Sequence, residues 1–255
     1  MAGFRDHGVN PVDQRTLPHP AATLVLDFGA RSPVVDDSTG QWRGSLATGL
    51  GARTRRVRGE QMECVQVRLS PLIAGAVLGA PLAELTDAVV PLDDLWGREA
   101  ARIRERMAET PSWTERFALI EMLLASRWAA EPSAEPEVIW AWRRIRAGHG
   151  LVRIDALADE VGWSRKRLWS RFRAQVGLPP KRAATLIRFD RAVHGLAAGI
   201  DPARVAAEGG YADQSHLHRD IVAFAGVTPT AVARESWLAV DDLAWPQRAA
   251  LPQTN

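Results

Sequence analysis

Basic side chains crowd one short stretch of the chain: Arg165, Lys166, Arg167, Arg171 and Arg173, with Ser164, Trp169 and Ser170 among them. Their chemistry is that of recognition. Guanidinium and ammonium groups donate to phosphate oxygens, and they can pair with O6 and N7 of guanine in a major groove. A second cluster, Asp213, Gln214, Ser215, His216, His218 and Arg219, is less basic but rich in donors and acceptors. His216 and His218 invite a metal reading. Alternate residues of a helix do not share a face, so no metal site is expected there. Trp169 lies off the apolar positions and can touch a sugar or a thymine methyl, or pack on a neighbouring helix.

Both clusters sit in the same kind of element. The stretch from Leu157 to Pro180 aligns with that from Val205 to Pro229, with one extra residue in the second turn. Glu160 matches Glu208, Gly162 matches Gly210, and Trp163 matches Tyr211. Past the turn, Leu168 matches Leu217, Phe172 matches Ile221, Gly177 matches Gly226 and Pro180 matches Pro229. Each copy reads as a short helix, a glycine turn, an aromatic plug and a second helix. Ser164 is placed to cap the first of the second helices. Leu168, Phe172 and Val176, spaced four apart, form its buried stripe and leave the basic residues outside. From Pro180 to Ala198 one long helix, with Leu186, Phe189, Val193 and Leu196 inward, connects the two units at fixed separation.

The pattern resembles the AraC/XylS family of transcription regulators over roughly residues 138–237. The resemblance rests on Gly210-Tyr-Ala-Asp-Gln-Ser-His-Leu-His-Arg219, on Gly226-Val-Thr-Pro229 and on its counterpart Gly177-Leu-Pro-Pro180. It implies a seven-helix domain that places both recognition helices on double-stranded DNA. By position, Lys166, Arg167 and Ser170 would face bases in the first unit, and Gln214, Ser215, His216 and Arg219 in the second. RNA polymerase is a further partner compatible with that resemblance, and activation and repression of transcription both stay open. One departure stands out. Where the family continues with an aromatic and basic residues, this chain reads Asp220-Ile-Val-Ala-Phe224. The first unit is therefore expected to supply more of the grip.

The front of the chain is of another kind. Thr23–Gly29, Ser45–Leu50 and Glu63–Ser70 read as strands. In the last, Cys64, Gln66 and Arg68 alternate with Val65, Val67 and Leu69. The segment Gly51–Gly59 reads as a solvated hairpin, with a basic pocket lip as the alternative. From about residue 91 the spacing turns helical: Leu95 to Glu109, then a helix opened by a capping box at Ser112 and Glu115, with Phe117, Ile120, Leu124 and Trp128 on one side. Residues 65–96 are similar to the N-terminal domain of a subgroup of the same regulators. That implies a sensor for a small-molecule effector, or a dimerisation module.

The whole therefore reads as α+β: a β-rich small barrel or sandwich to about residue 82, a helical extension over 91–131, and an all-α domain over 137–237. A break at Glu131-Pro-Ser-Ala-Glu-Pro136 separates the two parts, and a frayed tail fills 238–255. The chain has 255 residues, 46% hydrophobic and 24% charged, with a net charge of +2. Arginine and lysine outnumber the acids in residues 138–236, and the remainder is mildly acidic. No signal peptide or membrane span is legible, so a cytoplasmic protein is expected. A single cysteine, Cys64, excludes an internal disulfide. No cofactor motif or catalytic constellation stands out, and the chain reads as a non-enzyme, monomeric or homodimeric. The rival reading is an enzyme brought to DNA to transfer an alkyl group to Cys64.

Overall fold

A computed structural model describes residues 1–6, 11–37, 40–51, 53–129 and 134–234, with Leu238. Residues 131–133 of the break expected at Glu131–Pro136, and the tail apart from Leu238, lie outside them.

The strands are β1 (Ala2–Arg5), β2 (Val12–Thr16), β3 (Ala22–Asp27), β4 (Val34–Asp37), β5 (Gly40–Arg43), β6 (Leu46–Thr48), β7 (Arg55–Gly59), β8 (Glu63–Leu69) and β9 (Val89–Pro91). They form two antiparallel sheets, ordered β1-β8-β3-β6-β9 and β2-β7-β4-β5. Side chains alternate across a strand, so each residue is assigned to one face. Leu24, Leu26, Val65 and Val67 point from the larger sheet into the main core, where helices cover them. Thr23, Val25, Gln66 and Arg68 point the other way, toward the second sheet. The expected alternation in β8 holds.

The segment Gly51–Gly59 is not a solvated hairpin. Its β7 lies inside the smaller sheet, between β2 and β4. The outward Arg56 and Arg58 pair with Asp13 (2.5 Å) and Asp36 (2.6 Å) on those neighbours, while Arg55 and Val57 turn inward.

The front helices are α1 (Pro71–Leu78), α2 (Leu92–Trp96), α3 (Arg98–Glu109) and α4 (Trp113–Ala129). Ser70 caps α1 and Gly79 ends it in the left-handed conformation. The helix expected from Leu95 is two helices, because Gly97 (φ 54°, ψ −132°) breaks it. In the capping box, the Glu115 N–H donates to Ser112 Oγ at 3.2 Å. The Glu115 carboxylate accepts the Ser112 hydroxyl, so the reciprocal bond to the Ser112 backbone is replaced. Trp128 is 50% exposed and does not join the buried side. Two arginines, Arg116 and Arg127, turn to the covered side of α4 instead. Arg116 donates to the Met107 carbonyl and lies over the rings of Phe28 and Trp113.

The rest is helical: α5 (Pro136–Ala147), α6 (Ile154–Glu160), α7 (Arg165–Val176), α8 (Pro180–Ala197), α9 (Pro202–Glu208), α10 (Gln214–Ala225) and α11 (Pro229–Val232). α8 runs unbroken and buries Leu186, Phe189, Val193 and Leu196, as the spacing predicts.

The sandwich touches the carboxyl ends of both α7 and α10. Thr86 Oγ1 donates to the Gly177 carbonyl at 2.9 Å. Thr54 Oγ1 donates to the Phe224 carbonyl at 3.0 Å, and Arg15 to that of Ala225 at 3.5 Å. These are among the carbonyls that a helix end leaves without an intrahelical donor.

Gly177 and Gly226 make the same left-handed cap, at φ 91° and 69°. A Cβ on Gly226 would meet nothing within 4 Å, whereas one on Gly177 would lie 3.0 Å from the Leu82 carbonyl oxygen. Gly226→Ala should therefore cost about 1–2 kcal/mol, the strain of the conformation alone. Gly177→Ala should cost more, by about another 1 kcal/mol or above. Urea unfolding of the two variants checks the order.

Candidate nucleic-acid interface

The two units repeat in geometry as they do in sequence. Gly162 and Gly210 both turn the chain at positive φ, 68° and 65°. Only glycine adopts that conformation without strain. The plugs Trp163 and Tyr211 are buried behind them. Each following helix is then capped by a side chain. Ser164 Oγ accepts the Arg167 N–H at 3.2 Å, and the Asp213 carboxylate accepts the His216 N–H at 2.7 Å. Leu168, Phe172 and Val176 are fully buried, and Leu217, Ile221 and Ala225 repeat the stripe. Each amphipathic helix is thus held by its apolar side and offers its polar side outward.

Position decides what each candidate side chain is available to do. On α7, Lys166 and Ser170 are exposed. Arg167 lies over the Trp163 ring at 4.5 Å and Arg173 over Trp169 at 5.3 Å. Trp169 is 47% exposed, so it stands on the outer face and not in the core. Arg165 is paired with Asp155 at 2.9 Å. Arg171 is paired with Glu135, its Nε 2.9 Å from Oε2. Gln175 Nε2 donates to the same carboxylate at 3.0 Å, and the Glu135 N–H donates back to Gln175 Oε1 at 2.8 Å. This network ties α7 to the first turn of α5. No local signal in the sequence shows it, because the partners lie 36 and 40 residues apart.

On α10, Gln214, Ser215, His218 and Arg219 are exposed. Asp213 is occupied as the cap. His216 is half-buried, edge-on to Tyr211 with ring centroids 5.3 Å apart. Asp220, where the sequence departs from the family pattern, turns toward Arg188 of α8 at 3.8 Å. Among the described residues no cluster of metal-ligating side chains occurs.

Residues 157–235 match the family model of a helix-turn-helix domain, a span that takes in both units and the connector. The carboxy-terminal region is an AraC/XylS-type DNA-binding domain. The chain carrying it is a DNA-binding transcription regulator. The fold is shared along most of the regulator's length with ToxT from Vibrio cholerae. A 1.65 Å structure of ToxT is 9% identical, with a TM-score of 0.51 over 91% of this chain and 96% of that one. A structure of ToxT with an unsaturated fatty acid bound is also similar, 9% identical, with a TM-score of 0.48 over 92% and 94%. The C-terminal domain of AraT, a response regulator from Geobacillus stearothermophilus, is 20% identical and aligns with 39% of this chain and 85% of its own, at a TM-score of 0.37. No curated protein matches the chain. Among the described residues no helix is long and apolar enough to cross a membrane.

The regulator's front half contains a cavity of about 360 Å³ between the two sheets. Cys64 lies in its wall, opposite Asp27 in the register of β8 and β3. Burial, and then the Asp27 carboxylate, push the Cys64 thiol up to about 12. A thiol so strongly held in its protonated form is a poor nucleophile, because thiolate is the reacting species. The burial of Cys64 therefore weighs against alkyl transfer to its sulfur.

The Glu135 network is acid-sensitive. The hydrogen bond from Arg171 holds the Glu135 carboxyl below its ordinary value. A carboxylate lowered in the folded state contributes stability that is complete above the ordinary glutamate range. That contribution is lost as the pH falls through the lowered value. Glu135→Gln should therefore be less stable than the wild type near neutrality, and the two should converge as the pH is lowered below 4.5. Thermal unfolding across a pH series checks this.

Proposed function

We propose that the regulator lays α7 and α10 into two successive major grooves on one face of the duplex, about 34 Å apart. The observation that carries this reading is the matched pair of capped helices whose polar sides are free while their apolar stripes are locked on one core. The two helices have unequal work. Lys166, Arg167 and Arg173 make α7 the stronger grip on phosphate and guanine. Gln214, Ser215, His218 and Arg219 make α10 the finer reader of base edges. Arg165 and Arg171, already engaged by acids, hold α7 in place, and Ser164 and Asp213 act as caps. His216 supports the turn through Tyr211. The boundary between sensor and DNA-binding domain falls between the end of α4 and the start of α5.

The cavity supports an effector-binding role for the front half, which would work by binding and not by catalysis. The protein would act in the cytoplasm, where its duplex and RNA polymerase are found.

The test is binding to a duplex selected from random sequence with the full chain. Lys166→Ala should weaken binding to all sequences alike and lower the slope of log affinity against log salt by about 1. Arg219→Ala should cost about 1–3 kcal/mol on the selected site and relax its preference at one position. Unchanged binding by both variants would contradict the assignment.

A further inference from the structure

The cavity is polarised along the strands, and the register shows how. On the larger sheet, Arg68, Thr23 and Thr48 form one inward rung, because Thr23 is paired with both of the others. On the smaller sheet, Thr16 and Arg55 form a rung. These two rungs belong to the same end. Thr16 leads through a short loop into β3 just before Thr23, and Thr48 leads through another into Arg55. The middle rungs hold Val25, Leu46, Val35 and Val57, and the far end Phe4, Val12 and Met62. Apolar side chains thus dominate the body of the interior, with Gln14 and Gln66 among them, while Arg55 and Arg68 stand at one end and Arg5, paired with Glu63, lines the other with Asp6. His19 joins the end with Arg55 and Arg68, its Nε2 3.0 Å from Thr23 Oγ1.

Arg55 is nearly buried. It donates to the Ala88 carbonyl at 3.3 Å, and its Nε lies 3.9 Å from the Asp37 carboxylate with no hydrogen-bond partner among the described residues. Burial pushes its pKa down and the Asp37 and Asp87 carboxylates push it back up, and an anion in the cavity would add to that compensation.

The cationic end is also the end that touches the DNA-binding domain. Thr54 precedes Arg55 and bonds the Phe224 carbonyl at 3.0 Å, and Phe224 stacks on Phe189 of the connector α8 with centroids 4.7 Å apart. Arg15 precedes Thr16 and reaches the Ala225 carbonyl. In both strands the inward residue belongs to the cavity and its neighbour to the carboxyl end of α10.

We propose that the cavity takes an amphipathic organic anion, its charged group on the Arg55 and Arg68 rungs, and that occupancy is transmitted to α10 through Thr54 and Arg15. The proposal rests on the DNA-binding reading above. It adds the class of effector and the route of its signal.

The matched probes are anilinonaphthalene sulfonate, a fluorescent amphipathic anion, and its uncharged parent anilinonaphthalene. The full chain should bind the sulfonate at least roughly tenfold more tightly than the parent, as expected when a charged group gains buried donors. Arg55→Gln and Arg68→Gln should each reduce that preference while the thermal unfolding transition is kept. Equal affinity for the two dyes, or a preference that survives both substitutions, would overturn the assigned class. The sulfonate should also change affinity for the selected duplex by about fivefold or more, and the duplex should change dye affinity by the same factor. The double variant Arg15→Ala, Thr54→Val lies outside the cavity lining. It should bind the dye normally and lose this coupling. Coupling that persists in it would overturn the route. A wild-type chain that binds no duplex even without dye would instead contradict the DNA-binding reading, and the dye arm would still decide the class of ligand.

Discussion

Two helices that must meet one duplex have to be held at a fixed separation, and α8 supplies that constraint. It is long, unbroken and buried along Leu186, Phe189, Val193 and Leu196. It packs against α5, α7, α9, α10 and α11, so both units are built on one rod. An apolar stripe fixes the angle of each recognition helix, and a glycine turn with a side-chain cap fixes where the helix begins. The polar faces can then vary without disturbing the frame. That freedom allows one unit to carry Lys166 and Arg167 while the other carries Gln214 and Arg219.

The second constraint comes from the front half. The carboxyl ends of α7 and α10 both carry carbonyls that need donors, and threonines from loops of the front half supply them. Gly177 has no room for a side chain because the turn around Leu82 and Thr86 lies against it. That turn is tied in its own right to the cavity's edge, where the Gly49 N–H donates to the Leu85 carbonyl at 3.0 Å. The front half and the DNA-binding domain are thus joined by short polar contacts at the helix ends and not only by apolar packing. Such contacts are directional. A shift of either strand edge by an ångström breaks or remakes them, whereas an apolar surface would slide.

The repeat was legible in the sequence because its constraints are local: a glycine at a turn, a cap one residue before a helix, apolar residues four apart. The same holds for the alternation in β8 and for the capping residue Ser112. What was not legible depends on distant partners. β7 looked like a solvated hairpin because its arginines are dense, and only the flanking strands show that Arg56 and Arg58 face Asp13 and Asp36 while Arg55 turns inward. The pairing of Arg171 with Glu135 leaves no local trace either, since the two lie 36 residues apart. α1 left no amphipathic period, since nearly every residue in Pro-Leu-Ile-Ala-Gly-Ala-Val-Leu is apolar and the helix is too short to show one. Gly97 divides what spacing alone joined into one helix.

Two helices are proposed to read two grooves of one duplex. Methylation interference on the selected duplex tests it most directly, because guanine N7 lies in the major groove. Two clusters of interfering guanines are expected on one face, about one helical turn of 10 base pairs apart, with the Arg219→Ala chain losing signal mainly in one of them. A single cluster, or interference confined to minor-groove positions, would contradict it.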